Sequence, residues 1–254
     1  DEEINDQIFV ITNHLNLGKD YLSNDSLRLK TSELNIEAGK KAKGSAAYEF
    51  AFNYFLNAIY FLESSSDIGL KELKIYSYLE AAECAYLNNQ YEEMQKFINK
   101  VQNETKDLII KARTFEILNK FLITSGNPTQ AIANTIGLLH ELDVHFPSSP
   151  KAYHVIISIL NVKIALRKKG IHMLSTYKRT DNLKIIAIMR LISIIGSAAY
   201  FSSPNLLPLL ILENVYLSLK YGYSSYTPFS FSAYGIILCG TLGEVDKGYE
   251  FGKL

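Results

Sequence analysis

One pattern of offsets recurs three times along the chain and leaves few folds open to it. Small Ala38 and Gly39 are followed by Tyr48, Ala51, Phe55 and Ala58. Tyr78, Ala81, Ala82 and Ala85 are followed by Tyr91, Met94, Ile98 and Val101. Phe115, Leu118, Asn119, Leu122 and Gly126 are followed by Pro128, Ala131, Thr135 and Leu138. Two helices cross closely only where small side chains let them approach and larger apolar ones close around the crossing. Such a hairpin cannot hide its apolar face alone, so successive hairpins must stack. Positions 39, 82 and 119 are equivalent, which spaces the units more widely than the roughly 34 residues of the usual paired-helix repeat. A fourth unit begins at Gly235, Cys239 and Gly243, followed by Val245 and Gly248.

The rest of the chain also has helical periodicity. Val155, Ile159, Val162 and Leu166 fall at i, i+4, i+7 and i+11, one apolar stripe. Leu183 to Ile195 is rich in isoleucine but too long and too free of Gly and Pro for a strand. Helices are predicted near 4–17, 26–43, 46–62, 69–88, 91–102, 106–125, 128–142, 150–168, 182–200, 205–221, 228–241 and from 245 onward. Asn127-Pro128, Ser149-Pro150, Ser203-Pro204 and Thr227-Pro228 read as helix starts, a capping side chain followed by a proline whose missing N–H has no helical partner there. Gly126 and Gly222 suit the turns that end the preceding helices. Between residues 150 and 225 the repeat fades into long apolar helices. Hairpins are therefore assigned to 1–148 and variant helical repeats to 149–254.

Charge argues against bulk electrostatic partners. Lys plus Arg and Asp plus Glu are 26 each, so no net field draws the chain to nucleic acid or an acidic membrane. Lys163, Arg167, Lys168, Lys169, Lys178 and Arg179 form the densest basic cluster, without the stacking aromatics of a nucleic-acid grip, and read as a solvated helix end and loop. Leu191–Leu212 and Tyr221–Gly243 are uncharged and long enough to span a bilayer. Ser202-Ser203-Pro204-Asn205 and Pro208 break the first, and Ser, Tyr and Gly dilute the second, so both are expected as buried helices. The two cysteines, Cys84 and Cys239, lie in apolar periodic segments and read as buried free thiols of a reducing compartment. The opening Asp1-Glu2-Glu3 has no basic leader and apolar core, which predicts no signal peptide. Phe251 to Leu254 halts in mid-helix, and both ends suggest a piece of a longer protein.

Catalytic chemistry finds little support. Gly39-Lys40-Lys41 lacks the upstream glycine and the hydroxyl of a phosphate-binding loop. His140 and His145 stand five apart across a helix end, without HExxH spacing, so no metal site is assigned. Glu80 and Glu83, one turn apart, have no nucleophile to serve and read as a polar groove wall. No catalytic residue and no cofactor is assigned.

Ser32-Glu33-Leu34-Asn35-Ile36-Glu37-Ala38-Gly39-Lys40-Lys41-Ala42-Lys43-Gly44-Ser45-Ala46-Ala47-Tyr48 and Leu79-Glu80-Ala81-Ala82-Glu83-Cys84-Ala85-Tyr86-Leu87 resemble the tetratricopeptide-like region of large multidomain sensor kinases of bacteria and fungi. Tyr234-Gly235-Ile236-Ile237-Leu238-Cys239-Gly240 and Gly248-Tyr249-Glu250-Phe251-Gly252 extend the likeness to the far end of the chain. In that family a kinase-like domain and a STAND-type ATPase precede the helical region, and GAF and histidine-kinase modules follow it. The resemblance implies a right-handed α-α superhelix of stacked hairpins, all-α and degenerate in its second half. It also implies a regulatory linker or sensor arm in the cytoplasm, with the catalytic motifs in other modules. The absence of tryptophan, with Tyr78 or Phe115 in the large aromatic slot, departs mildly from the usual repeat.

On such a superhelix the inner-face positions are Glu33, Glu37 and Lys40, then Tyr76, Glu80 and Glu83, then Arg113, Ile117 and Lys120. These polar residues are the candidate groove. Acids in two hairpins of three oppose capture of a peptide carboxylate, while a basic or mixed segment fits. Neighbouring domains or a protein partner are the expected contacts, with self-association through the apolar second half. The alternative is a sensor for a small molecule or peptide. It draws on the 17 tyrosines, among them Tyr221, Tyr223 and Tyr226.

Overall fold

A computed structural model describes residues 7–63, 68–167 and 176–254. The expected helix start at residue 4, and Lys168 and Lys169 of the basic cluster, lie outside the described residues. Within them the chain forms twelve α-helices, two short 3-10 turns and no strand. It divides into two compact units, Asp1–Lys106 and Asp107–Leu254. The third hairpin of the sequence pattern belongs to the second of these.

The first unit holds α1 (Ile8–Leu17), α2 (Asp25–Gly44), α3 (Tyr48–Glu63), α4 (Lys71–Leu87) and α5 (Tyr91–Glu104). Each helix packs on the next, the arrangement that hairpins stacked in chain order produce. The small residues are in the core: Ala51 and Ala58 of α3 and Ala81, Ala82 and Ala85 of α4 have no exposed surface. Gly39 of α2 receives the ring of Phe55 from α3. Around them Phe97 of α5 stacks on Tyr78 with centroids 6.1 Å apart and meets Phe52 edge-on. Such aromatic pairs add about 0.5–1.5 kcal/mol each beyond their buried area.

The second unit holds α6 (Leu108–Thr124), α7 (Pro128–Glu141), α8 (Ala152–Arg167), α9 (Leu183–Ser202), α10 (Leu207–Tyr221), α11 (Thr227–Leu242) and α12 (Val245–Lys253). Its order is not sequential. Helix α9 packs against α6, α7 and α10, while α8 packs against α10. Helix α9 is long and apolar enough to cross a membrane, and its Met189, Leu191, Ile195 and Ala199 are fully buried in this unit's core. The uncharged Leu191–Leu212 stretch breaks at Ser203 into two packed helices, as its Ser-Ser-Pro-Asn signal predicts. At the third hairpin a hydrogen bond replaces the small-residue contact, Asn119 Nδ2 donating to Thr135 Oγ1 at 2.7 Å inside the core. In the last hairpin Gly235 and Gly248 bring α11 and α12 to backbone contact: a β-carbon on Gly235 would lie 2.7 Å from the Gly248 carbonyl oxygen.

Only the proline half of the device holds, and at two sites of the four: Asn127 makes no capping bond, and Thr227 is itself the first residue of its helix. Pro128 and Pro228 sit at the first or second position of α7 and α11. Pro150 and Pro204 instead lie in the turns before α8 and α10, and Pro208 takes the early helical position of α10. A proline's fixed φ suits a turn as well as a first helical residue, which is why the sequence cannot separate the two. The capping bonds come from unmarked residues. Asn24 accepts from Leu27 N, Asp107 from Ile109 N, and Asn182 from Ile185 N. Gly222 has φ +107°, where a side chain would collide with the Lys178 carbonyl as the chain passes from Lys178 to Thr180.

Candidate functional site

Helix α2 presents Glu33, Glu37 and Lys40 on its exposed side. Lys40 Nζ donates to Glu37 Oε1 at 2.7 Å and stands 5.3 Å from the ring centre of Tyr76 on α4. Three of the predicted groove residues thus meet, while Glu33 lies one turn further along α2. The pair is open to solvent and contributes at most about 1 kcal/mol.

Glu80 and Glu83 are not an open groove wall. Both are buried on α4 and accept from Lys43 Nζ of α2 at 2.6 and 2.5 Å. Burial alone would pull the Lys43 ammonium down, but the bonds to Glu80 and Glu83 outweigh it and hold its pKa above the ordinary lysine value. Beside them Cys84 is buried, and burial, with the two carboxylates, pushes its thiol up to about 12. This favours the inert thiol over the reactive thiolate. The cluster ties α2 to α4. Lys43 was missed among the candidate residues, although it follows Lys40 by three positions and so lies on a neighbouring stripe of the same helix. Cys239 corrects the expectation of two buried thiols: it is exposed on α11, with its Sγ lying over Gly248 at the edge of the crossing with α12.

Arg113 and Lys120 converge on a carboxylate that the sequence reading did not single out. Buried Glu116 of α6 accepts from Arg113 Nη1 at 2.5 Å, Lys120 Nζ at 3.0 Å and Arg190 Nη1 of α9 at 3.3 Å. Arg190 Nε also donates to Tyr226 Oη at 3.0 Å. Burial works against the charged carboxylate, and Arg113 and Lys120 more than compensate, holding Glu116 below the usual glutamate range. The available signal was spacing, since Glu116 is i+3 from Arg113 and i−4 from Lys120. Ile117, expected on the inner face, is core.

The remaining candidates disperse. His140 and His145 lie with ring centres 4.3 Å apart at the end of α7, and among the described residues no group of three or more His, Cys, Asp or Glu is placed to hold a metal ion. Lys163 pairs with Glu244 at 2.5 Å, and Arg179 lies in a backbone bridge to Tyr223. The three clustered tyrosines point to different surroundings: Tyr223 packs near Phe231 and Tyr177, Tyr226 accepts from Arg190, and Tyr221 lies beneath Lys220.

Two clefts stand apart from these clusters. In the first unit a cleft of about 370 Å³ between α1 and α3 is lined by Asn13, Asn16, Leu17, Phe50, Asn53, Tyr54 and Asn57. Tyr54 Oη donates to Asn13 Oδ1 at 2.9 Å, and Asn16 exchanges two 2.8 Å bonds with Asn35 of α2. In the second unit a wider cleft of about 480 Å³ lies over Ile132, Ile136 and Leu206, rimmed by the two Ser-Ser-Pro turns at 148–150 and 202–204. None of these residues was a sequence candidate for the groove.

No family model matches the chain, and no solved structure matches it. It is 23% identical over 273 aligned residues to the Hybrid signal transduction histidine kinase G of Dictyostelium discoideum, covering 97% of this chain and 8% of that protein's length.

Proposed function

We propose that this chain is a non-catalytic helical-repeat region of a cytoplasmic signal-transduction kinase, built as a tetratricopeptide-like stack that regulates through contact with neighbouring modules. The observation that carries the reading is the likeness to a hybrid histidine kinase, which runs along 97% of this chain yet occupies 8% of that protein. On this reading the segment acts on the chemistry of other modules. The charge clusters fit the role, because Lys43 with Glu80 and Glu83, and Glu116 with its three cations, join helices that are distant in sequence. Within each unit, salt-bridge networks of this kind are contacts through which coupling between helices is carried.

The test is titration of the chain against the kinase and ATPase modules of the protein that carries it. Binding with a change in autophosphorylation or ATP turnover supports the role; neither binding nor a change refutes it. A second reading, a sensor that holds a ligand in a groove, is favoured by the asparagine-lined cleft of the first unit. Its position differs from the groove that the sequence indicated.

A further inference from the structure

We propose that the cleft between α1 and α3 binds an extended, uncharged peptide segment by its backbone, through the carboxamides of Asn13, Asn53 and Asn57. The inference deepens the contact-making role proposed above by naming one class of partner and its seat.

Seven residues line the cleft and none of them carries a formal charge. Four are asparagines. A carboxamide shows a donor pair and an acceptor on one planar group, the same complement that a peptide bond shows. The protein has already fixed part of this set. The Asn13 carbonyl oxygen accepts from Tyr54, so its amino group is left for a carbonyl of the guest. Asn57 Nδ2 donates to the Asn53 backbone carbonyl at 3.0 Å, so Asn57 Oδ1 is left for a guest N–H. The Asn53 side chain is exposed on the same helix and offers both. Asn16 is held from behind by Asn35 and forms a rigid wall.

Spacing favours a strand. Asn53 and Asn57 are one turn apart on α3, about 6 Å along its axis. An extended chain presents peptide groups to one side about every 6.6–6.8 Å. Two successive same-side peptide groups therefore meet the two carboxamides nearly in register. Phe50, 66% exposed, and Leu17, 82% exposed, provide apolar surface at the cleft for one bulky side chain of the guest. A charged guest would lose hydration with no countercharge in the lining, which selects against it.

The test uses the ¹⁵N-labelled chain and follows the side-chain amide signals of Asn13, Asn53 and Asn57 during titration with a blocked, uncharged pentapeptide of alternating threonine and leucine. Saturating shifts are expected, with Kd on the order of 0.1–1 mM for so small an interface. The same peptide N-methylated at its central amides should bind at least about tenfold more weakly, and so should Asn53→Ala/Asn57→Ala with the parent peptide. Thermal melting of that variant should be no lower than that of the wild type, since alanine has the higher helix propensity at both positions. No shift at millimolar peptide, equal binding of the N-methylated peptide, an unaffected variant, or shifts only with a chito-oligosaccharide would each overturn the proposal. The titration needs no kinase module, so its failure is separate from failure of the module titration.

Discussion

Gly39 of α2 faces the ring of Phe55 on α3 so closely that a β-carbon at position 39 would stand 2.8 Å from Phe55 Cζ. Phe55 has no exposed surface, so its ring can give way only by displacing buried neighbours. Gly39→Ala gains up to about 1 kcal/mol of helix propensity but meets overpacking worth about 1–3 kcal/mol, so a net loss of about 1 kcal/mol is expected in urea unfolding. Gly137, exposed on α7 with nothing near its missing β-carbon, supplies the contrast. Gly137→Ala should gain roughly 0.5–1 kcal/mol. A Gly39→Ala midpoint that rises with that of Gly137→Ala would show that the ring contact places no constraint there, and Gly39→Ala/Phe55→Leu should recover part of the loss.

Lys43 answers two buried glutamates from a different helix. Lys43→Met leaves Glu80 and Glu83 side by side without the ammonium, and breaking a buried ion pair in this way costs about 3–5 kcal/mol. Adding Glu80→Gln and Glu83→Gln removes the stranded charges and should restore most of the stability. Chemical denaturation of the single and triple variants decides the point. Equal losses in both would mean that the lysine stem, and not the charge, supports α2 on α4.

The helices were legible because their causes are local. Apolar periodicity and the interruptions by Gly, Ser and Pro placed the helices, and the predicted ends that fall within the described residues lie a few residues from those observed. Small residues marked the close approaches at Gly39, Gly235 and Gly248, and Ala82 is fully buried. What escaped depends on which helix lies beside which. Nothing in the periodicity of α8 says that it passes over α9 to pack on α10. The partners of Glu116 lie on α6 and α9, and only the fold brings Arg190 to it. Asn13, Asn16, Asn53 and Asn57 read one by one as surface polar residues, and become a lining only when α1 and α3 enclose a cleft.

Glu116 gives a pH dependence of definite sign. Its folded pKa lies below the unfolded value because Arg113 and Lys120 outweigh the burial that opposes its charge. The contribution is therefore fully present above the unfolded pKa of about 4.3 and is lost as pH falls through the lower folded value. Glu116→Gln should cost about 1–3 kcal/mol at neutral pH, the value of hydrogen bonds to a charged group. The gap to wild type should close on acidification below about pH 4. Urea unfolding at a series of pH values measures it. A gap that stays constant down to the lowest pH at which the chain is folded would assign the loss to packing.

Helix α8 is apolar on two opposite faces. Val155, Ile159, Val162 and Leu166 pack into the second unit's core, while Tyr153, Ile156, Ile157, Leu160 and Ile164, each 52–57% exposed, form a stripe on the other side. A helix hydrophobic all round is ordinarily covered on all sides, and an exposed stripe of this kind favours association. The isolated chain is therefore expected to self-associate as concentration rises. Ile156→Glu/Leu160→Glu should return it to monomer with little change in melting temperature, since both positions already face solvent. Sedimentation velocity across a concentration series separates the outcomes. A wild-type chain that stays monomeric at the highest concentration, or a double variant that associates as strongly as wild type, would remove the stripe as the cause.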